Sequence, residues 1–354
     1  MKKFKKIYVV LFSAFAIQNY CIAQTDTIVK AKILDDGSQD AEKFYNSGIS
    51  DFANKNFQSA ITNFNQAITL KPDFQKAYYN RGATKFEMKD YNAAISDFDK
   101  SLTLIQDPDS YFSRAQAKFA LGDKAGASAD YTKTIEVKTD YAQAYYYRGE
   151  LKFENTDYRG AIEDFNLAIK FKPDYAYAYN DRGSAKRQLE DITGAISDYN
   201  KALINNSEMP FTYNNLASAK RKKGDFKGAI SDYSEAIRQK KDYYIAYNNR
   251  GSAKFDNTDY KGAVEDFTNA IQLKPDYAFA FNNRAAAKYK LKNFQGCIED
   301  CTKAIQLNPS YGYAYLNRGI AKEMLRDNDG ACSDWRKAIE LGVEEAKNYT
   351  GDCK

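Results

Sequence analysis

Residues 244–277 read YIAYNNRGSAKFDNTDYKGAVEDFTNAIQLKPDY, and this stretch decides the fold because close copies of it recur along the chain. The string RG-x-x-K returns at spacings of 67 residues or multiples of 34, at Arg81-Gly82, Arg148-Gly149, Arg182-Gly183, Arg250-Gly251 and Arg318-Gly319. Nine units tile residues 41–345, starting at Ala41, Gln75, Pro108, Ala142, Ala176, Pro210, Tyr244, Ala278 and Gly312. Such a period predicts an array of similar modules, with nothing else of domain size attached.

Each unit carries the signals of two antiparallel helices. Position 16 of every unit is Asp or Asn, and these preferred N-cap residues each stabilise a helix by about 0.5–2 kcal/mol. Positions 8 and 20 are small, as Gly251 and Ala263 illustrate, so the two helices can approach closely. Phe267 and Ala270 follow Ala263 on the same helical face. We expect the second helix to bury one stripe against the first helix and another against the next unit.

The pattern resembles the tetratricopeptide repeat. Its units share an aromatic residue at position 4 and Gly or Ala at position 8, and most have Ala at position 20, an aromatic at 24 and Ala at 27. The resemblance implies an all-α fold, a right-handed superhelical solenoid of nine helix-turn-helix repeats. It also implies that the first helices line a concave groove that binds other proteins. The carboxylate clamp known in this family is not implied, because no unit has Lys at position 5 or Asn at position 9.

The N-terminus has the features of an export signal. A basic stretch, residues 1–6, precedes an apolar stretch, residues 7–17, and Cys21-Ile22-Ala23 fits a cleavage site before Gln24. Lipidation of Cys21 is the alternative, although the bulky Tyr20 stands where lipoprotein signals have a small residue. We therefore predict a signal peptide at 1–23, a flexible segment at 24–40, repeats at 41–345 and a capping tail at 346–354. The mature protein is expected in the periplasm, or secreted or at the cell surface.

Composition excludes several classes of function. The chain contains no histidine, which removes Ser-His and Cys-His nucleophile pairs and every His-containing metal site. Its net charge of +5 falls to +1 without the four lysines of residues 1–23, which argues against binding of nucleic acid or an anionic membrane. The carboxylates recur in register with the repeats, as structural residues do. We expect no enzymatic activity, no cofactor, metal or small-molecule substrate, and no transmembrane span in the mature chain.

Basic and acidic residues also recur in register. Position 7 is Arg in seven units, position 11 is Lys in eight, and position 23 is Asp in eight, as Arg148, Lys152 and Asp164 illustrate. The bases lie one turn apart on the first helix. They form either a basic stripe for anions or an internal ion-pair ladder, and the recurrence of the acid with the bases favours the ladder.

The predicted groove is lined by positions 2, 5, 6, 9, 12 and 13. Its first half is aromatic, with Tyr79, Tyr146 and Phe153 among the candidate contacts. Its second half presents a row of asparagines, whose amides can pair with the backbone of an extended peptide; the candidates are Asn180, Asn214, Asn215, Asn248, Asn249, Asn282 and Asn283. A structural hydrogen bond within the repeats is an equally good interpretation of these asparagines.

The fifth and sixth units depart from the aromatic pattern. Arg187 and Arg221 occupy position 12, and Lys222 follows at position 13. On adjacent repeats, about 10 Å apart, the two arginines could hold an acidic side chain or a C-terminal carboxylate of a bound peptide. The alternative is that they are solvated and paired with Asp181 or Glu190.

The cysteines cluster in the last two units. Cys332 lies near the start of the last second helix and Cys353 beyond an expected helix at 343–350, so antiparallel packing predicts a disulfide between them. Cys297, Cys301 and Trp335 are predicted core residues. The sequence as a whole predicts an exported scaffold that binds partner peptides or proteins, and the alternative is a structural subunit of a larger cell-envelope or secretion assembly.

Overall fold

The computed structural model describes residues 39–353, which form eighteen α-helices and one C-terminal 3₁₀ helix, with no strand in that range. The predicted signal peptide, its lipidation alternative and nearly all of the predicted flexible segment lie outside the described residues. The helices are α1 (Gln39–Ala53), α2 (Phe57–Leu70), α3 (Gln75–Glu87), α4 (Tyr91–Leu104), α5 (Pro108–Ala120), α6 (Lys124–Val137), α7 (Ala142–Glu154), α8 (Tyr158–Phe171), α9 (Ala176–Gln188), α10 (Ile192–Asn205), α11 (Pro210–Lys222), α12 (Phe226–Gln239), α13 (Tyr244–Asp256), α14 (Tyr260–Leu273), α15 (Ala278–Lys290), α16 (Phe294–Leu307), α17 (Gly312–Met324), α18 (Asn328–Glu340) and the 3₁₀ helix (Glu344–Asp352). The all-α prediction is confirmed.

The described chain forms two compact units, an N-terminal unit of residues 39–189 and a C-terminal unit of residues 190–353. In each unit odd-numbered and even-numbered helices pack as consecutive pairs, and each even-numbered helix also packs on the next odd-numbered one. The odd-numbered helices are the first helices of the repeats. First helices of neighbouring repeats touch one another, as α1 touches α3 and α13 touches α15. Each unit therefore has a continuous first-helix face, defined here as positions 2, 5, 6, 9, 12 and 13 of its first helices.

The core of each repeat is the predicted set of small and aromatic residues. Ala161, Phe165 and Ala168 of α8 have no exposed surface. A Cβ atom on Gly149 would lie 2.8 Å from the Phe165 ring, so a larger residue here would force the ring or the helix to shift. Position 8 is therefore small because position 24 is a large ring.

The predicted N-caps form with one exception. Side-chain oxygens at position 16 accept from a backbone N–H three residues on; these residues are Asp90, Asp123, Asp157, Asp191, Asp225, Asp259, Asn293 and Asp327. The cap prediction is wrong for Asn56, whose side chain makes no such bond. Ser59, three residues on, donates its hydroxyl to Asp51.

The turn inside each repeat has a left-handed residue that sequence analysis did not predict. Seven non-glycine residues just before the cap have φ between 61° and 66°, and they are Lys55, Lys89, Thr156, Glu190, Thr258, Lys292 and Arg326. Gly122 and Gly224 take the same place in two other repeats. An L-residue in this conformation costs about 1–2 kcal/mol, so these turns are locally strained.

The 3₁₀ helix covers the end of α18. Ala346 and Val343 are buried with Trp335, and the ring of Tyr349 lies 5.5 Å from that of Trp335. The expected final helix is therefore present, but it is of the 3₁₀ type. The Sγ atoms of Cys332 and Cys353 lie at bonding distance, 1.97 Å.

The other predicted core residues of the last two repeats are buried. Cys297 and Cys301 are buried free thiols, and Trp335 is 3 % exposed. These three core predictions are confirmed.

Candidate functional site

The recurring bases and acids form ion-pair clusters inside the repeats. Arg148 donates from Nε and Nη2 to the two oxygens of Asp164, at 2.9 and 2.7 Å, and Lys152 Nζ lies 2.8 Å from the same carboxylate. The Asp164 side chain is 2 % exposed. The same triad occurs at Arg81/Lys85/Asp97, Arg114/Lys118/Asp130, Arg250/Lys254/Asp266, Arg284/Lys288/Asp300 and Arg318/Lys322/Asp334. The ion-pair ladder is confirmed, and these bases are neutralised within their own repeats.

Each of these arginines also contacts the preceding repeat. Arg148 Nη1 donates to Thr132 Oγ1 at 3.2 Å, while its guanidinium lies 5.6 Å from the centre of the Tyr145 ring. Arg182 makes the same kind of contact, and all the other partners lie at unit position 25; they are Asn65, Asp99, Asn166, Ser234, Thr268 and Thr302. Sequence analysis missed this contact between repeats. Its signal was the small polar residue at position 25 of each preceding unit.

The sixth repeat shows what the arginine does, because Leu216 replaces it. Asp232, the matching acid, is paired there with Lys220 alone, at 2.6 Å. Burial raises the pKa of Asp232 above its ordinary value, although the hydrogen bond from Lys220 lowers it. The arginine fork is thus what keeps a buried carboxylate fully compensated.

The asparagine row is a hydrogen-bonded ladder between neighbouring repeats. Asn249 Nδ2 donates to Asn214 Oδ1 at 3.1 Å, and Asn283 Nδ2 donates to Asn248 Oδ1 at 3.1 Å. Asn317 extends the ladder by donating to Asn282 Oδ1 at 3.0 Å. Position 6 of one repeat therefore bonds to position 5 of the repeat before it.

Most of these asparagines are closed to a peptide. Asn248, Asn282 and Asn283 are at most 4 % exposed, Asn214 is 8 % exposed, and Asn180 is buried and donates to Asp181 at 2.8 Å. This burial favours the structural interpretation for these five residues. The other two members of the row, Asn215 and Asn249, are half-buried on the first-helix face, and peptide binding stays a prediction for them.

The basic residues proposed for an anion have acidic neighbours. The Arg221 side chain is 8 % exposed, and its Nε lies 2.6 Å from Asp256 Oδ2. Lys222 pairs with Glu190, one of the two acids predicted as alternative partners. Arg221 is therefore paired with an acid, as the alternative held, but it is buried rather than solvated, and Asp256 was not among the predicted acids. Arg187 is half-buried on α9 of the N-terminal unit, and a shared anion site with Arg221 stays a prediction.

The predicted aromatic contacts are partly used within the repeats. The Tyr79 ring lies 5.8 Å from that of Phe98, and its hydroxyl is 3.3 Å from a serine of the next repeat. Phe153 is half-buried with its ring edge-on to Tyr158 at 5.2 Å. Tyr146 is 6 % exposed. Of these three, Tyr79 and Phe153 keep accessible surface on the first-helix face.

Two carboxyl groups meet at Tyr146, in a contact that sequence analysis did not predict. The Tyr146 Oη lies 2.9 Å from Glu150 Oε1 and 2.8 Å from Asp181 Oδ2, and Asp181 belongs to the next repeat. Burial and the negative charge of Asp181 raise the pKa of Glu150 to about 8. Burial also raises the pKa of Asp181, against hydrogen bonds from Tyr146 and Asn180 that lower it.

The first-helix faces of the two units differ in charge. In the N-terminal unit six carboxyl side chains and two basic ones occupy the face, namely Glu42, Glu87, Asp109, Glu150, Glu154 and Asp181 against Lys76 and Arg187. In the C-terminal unit the face has Asp256 and Glu323 against Arg221, Lys222 and Lys290. Acidic character is therefore confined to the face of the N-terminal unit.

Within residues 39–353 no three His, Cys, Asp or Glu side chains are grouped as metal ligands. In the same range, no helix is both long and apolar enough to cross a membrane.

Antiparallel helix pairs stacked in register define an α-solenoid repeat protein. Family models described as tetratricopeptide repeat match residues 75–108, 112–176, 149–210, 214–278 and 278–311, and one described as TPR repeat matches residues 48–89. Together these matches cover most of the sequence, so the chain belongs to the tetratricopeptide repeat family.

Several solved structures are similar to this chain. A tetratricopeptide repeat protein from Parabacteroides merdae is 16 % identical, with a TM-score of 0.56 over 69 % of this chain and 98 % of its own. MamA is 27 % identical, with a TM-score of 0.43 over 47 % of this chain and 96 % of its own. YrrB, described as a TPR protein with an unusual peptide-binding site, is 22 % identical, with a TM-score of 0.46 over 52 % of this chain and 95 % of its own. No curated protein matches the chain significantly.

Proposed function

We propose that the chain is a non-enzymatic protein-interaction scaffold whose first-helix face in the N-terminal unit binds an extended segment of a partner protein. The observation that carries this proposal is the set of side chains on that face that make no structural ion pair, which are mainly carboxyl groups and aromatic rings. The recurring arginines and lysines are neutralised by buried aspartates, while carboxyl groups such as Glu87 remain exposed beside half-buried aromatic rings.

The face fits a segment with basic and apolar side chains. Phe86, Phe119 and Phe153 lie at position 12 of successive repeats, so they recur along the face at the spacing of packed helices, about 10 Å. The carboxylates interleaved with these rings attract lysine or arginine, and electrostatic complementarity gives specificity and faster association. An acidic segment is the less favoured occupant, because Asp256 already neutralises Arg221.

We also propose that the protein is exported, in nine repeats followed by a short cap, to the periplasm or the cell surface. The basic and apolar stretches of residues 1–17 and the small residues before Gln24 support this proposal. An oxidising compartment would suit the adjacent sulfurs of Cys332 and Cys353.

A second candidate function is that of a structural subunit in a larger cell-envelope assembly. Exposed apolar side chains recur at the turns between paired helices and favour it; they are Met88, Leu121, Leu189, Leu291 and Leu325, each 40–47 % exposed. Side chains of this kind suit permanent contacts outside the first-helix face.

Crosslinking in the native host, followed by mapping of the crosslinked residues, tests the proposal. We expect crosslinks on the first helices α1, α3, α5, α7 and α9. For the partner segment they identify, binding should weaken about tenfold when Glu42 and Glu87 are both replaced by lysine. The matched control places lysine at Glu163 and Glu265, exposed on second helices. Unchanged affinity in the first variant would overturn the proposal. A stoichiometric complex crosslinked only at the turns would favour the assembly function instead.

A further inference from the structure

In the contact between Tyr146, Glu150 and Asp181, two carboxyl oxygens lie within hydrogen-bonding distance of a single phenol hydroxyl. A phenol hydroxyl has one hydrogen, so Tyr146 can make a full hydrogen bond to only one of the two carboxyl oxygens that lie within 2.9 Å of it. With both carboxyls ionised, that hydrogen is shared weakly between two acceptors. Two full hydrogen bonds form when one carboxyl group holds a proton and donates it to the phenol oxygen, and the short contacts fit this arrangement.

The charged and titratable groups around the contact give little compensation. The groups that face it are Tyr147 and Glu154 of α7, Tyr131 of α6 and Tyr175 at the start of α9. Lys124 of α6 forms an ion pair with Glu154, 2.9 Å away. The bases of α7, Arg148 and Lys152, form ion pairs with Asp164. Among the described residues no ion pair reaches Glu150 or Asp181.

We infer that Tyr146, Glu150 and Asp181 form a proton-dependent link between consecutive repeats, closed when the cluster holds the extra proton and weakened when both carboxyl groups are ionised. Tyr146 and Glu150 lie on α7, whereas Asp181 lies on α9, so the link joins the first helices of two repeats. With both carboxylates ionised, they compete for one hydrogen and repel each other across the contact. This link lies on the first-helix face, so its opening would loosen that face at one defined point.

The direction of the pH effect follows from the raised pKa of Glu150. At pH values between the ordinary pKa of a glutamate and about 8, the folded chain holds a proton on this group that the unfolded chain has released. Stability of this region is therefore greatest in acid and falls as the pH rises through that interval. Most protein carboxylates have the opposite effect, because their pKa values are lowered by folding.

Hydrogen exchange of the full chain between pH 5.5 and 8.5, corrected for intrinsic exchange, tests the inference. We expect protection of the α7 and α9 amides to fall at least tenfold over this range in the wild type. Glu150→Gln, whose amide donates to the phenol oxygen at every pH, should keep the acid level of protection throughout. Glu163→Gln on α8 is the matched control, since it removes an exposed charge from the same unit and should behave like the wild type.

Two outcomes would overturn the link. One is wild-type protection that does not change with pH, and the other is a Glu150→Gln variant with the wild-type slope. If Glu150→Gln fails to fold, the carboxyl ¹³C resonances of Glu150 and Asp181 in the wild type decide the matter. Titration of both resonances near the ordinary pKa values of their side chains would show that the cluster holds no extra proton.

Discussion

Replacing Arg250 with leucine tests the arginine contact that holds consecutive repeats together. Arg250 donates to both oxygens of Asp266, at 2.9 and 2.7 Å, and to Ser234 of the preceding repeat at 3.0 Å. Its guanidinium also lies 5.5 Å from the centre of the Tyr247 ring. Leucine is the residue that the chain itself has at this position of the sixth repeat, so the replacement is compatible with the fold.

The expected loss of stability is about 2–3 kcal/mol. Removing one partner of a buried ion pair costs about 3–5 kcal/mol, because the remaining charge is left uncompensated. Asp266 is 1 % exposed, but Lys254 still lies 2.8 Å from its carboxylate, which places the cost below that range. The variant would copy the sixth repeat, where burial raises the pKa of Asp232 above its ordinary value, so the penalty should shrink as the pH falls.

Urea unfolding followed by circular dichroism, with hydrogen exchange to locate the effect, measures this prediction. Since each repeat contacts only its neighbours, the loss of protection should centre on α12, α13 and α14. Arg238→Leu is the control, because that arginine is 71 % exposed and pairs along its own helix, so its loss should leave the unfolding midpoint nearly unchanged. An Arg250→Leu variant within 0.5 kcal/mol of the wild type would refute the reasoning.

Three further predictions follow from the packing. Gly251→Ala should destabilise by about 1–3 kcal/mol in urea unfolding, because its Cβ would lie 2.8 Å from the Phe267 ring; an unchanged midpoint would contradict this. Thr258→Gly should stabilise by about 0.5–1 kcal/mol in the same assay, since it relieves a φ of 66°, and a loss of stability would count against strain in the turn. Mass spectrometry of the non-reduced exported protein should find Cys332 joined to Cys353, with reduction costing about 3 kcal/mol, whereas two free thiols would end the disulfide prediction.

The features that sequence predicted well are those made inside one repeat. The caps, the close approach of Gly149 to Phe165 and the pairing of Arg148 with Asp164 depend on residues a fixed distance apart in one helix pair. The geometry of the helix pair then determines which of these residues touch. Because the same residue types recur from unit to unit, such contacts can be told apart from chance patterns in the sequence.

The features that sequence predicted poorly are made between repeats. Whether an asparagine on a first helix faces solvent or its neighbour depends on the offset and rotation of adjacent helices, which the period alone does not determine. The burial of Asn282, the pairing of Arg221 with Asp256 and the meeting of Glu150 with Asp181 all depend on that offset. Candidate binding residues on a repeat array therefore need the inter-repeat geometry before they can be assigned.

The C-terminal 3₁₀ helix has a consequence for how such an array changes its length. It packs against α18 as α17 packs against α16, so Ala346 and Tyr349 take the place of the next repeat's first helix. Duplication of residues 312–345 would copy Cys332 and Trp335 together with the surface that the tail covers. The tail would then dock on the new last repeat unchanged. Gene duplication could thus lengthen this protein in whole units while the same 3₁₀ helix covers the last of them.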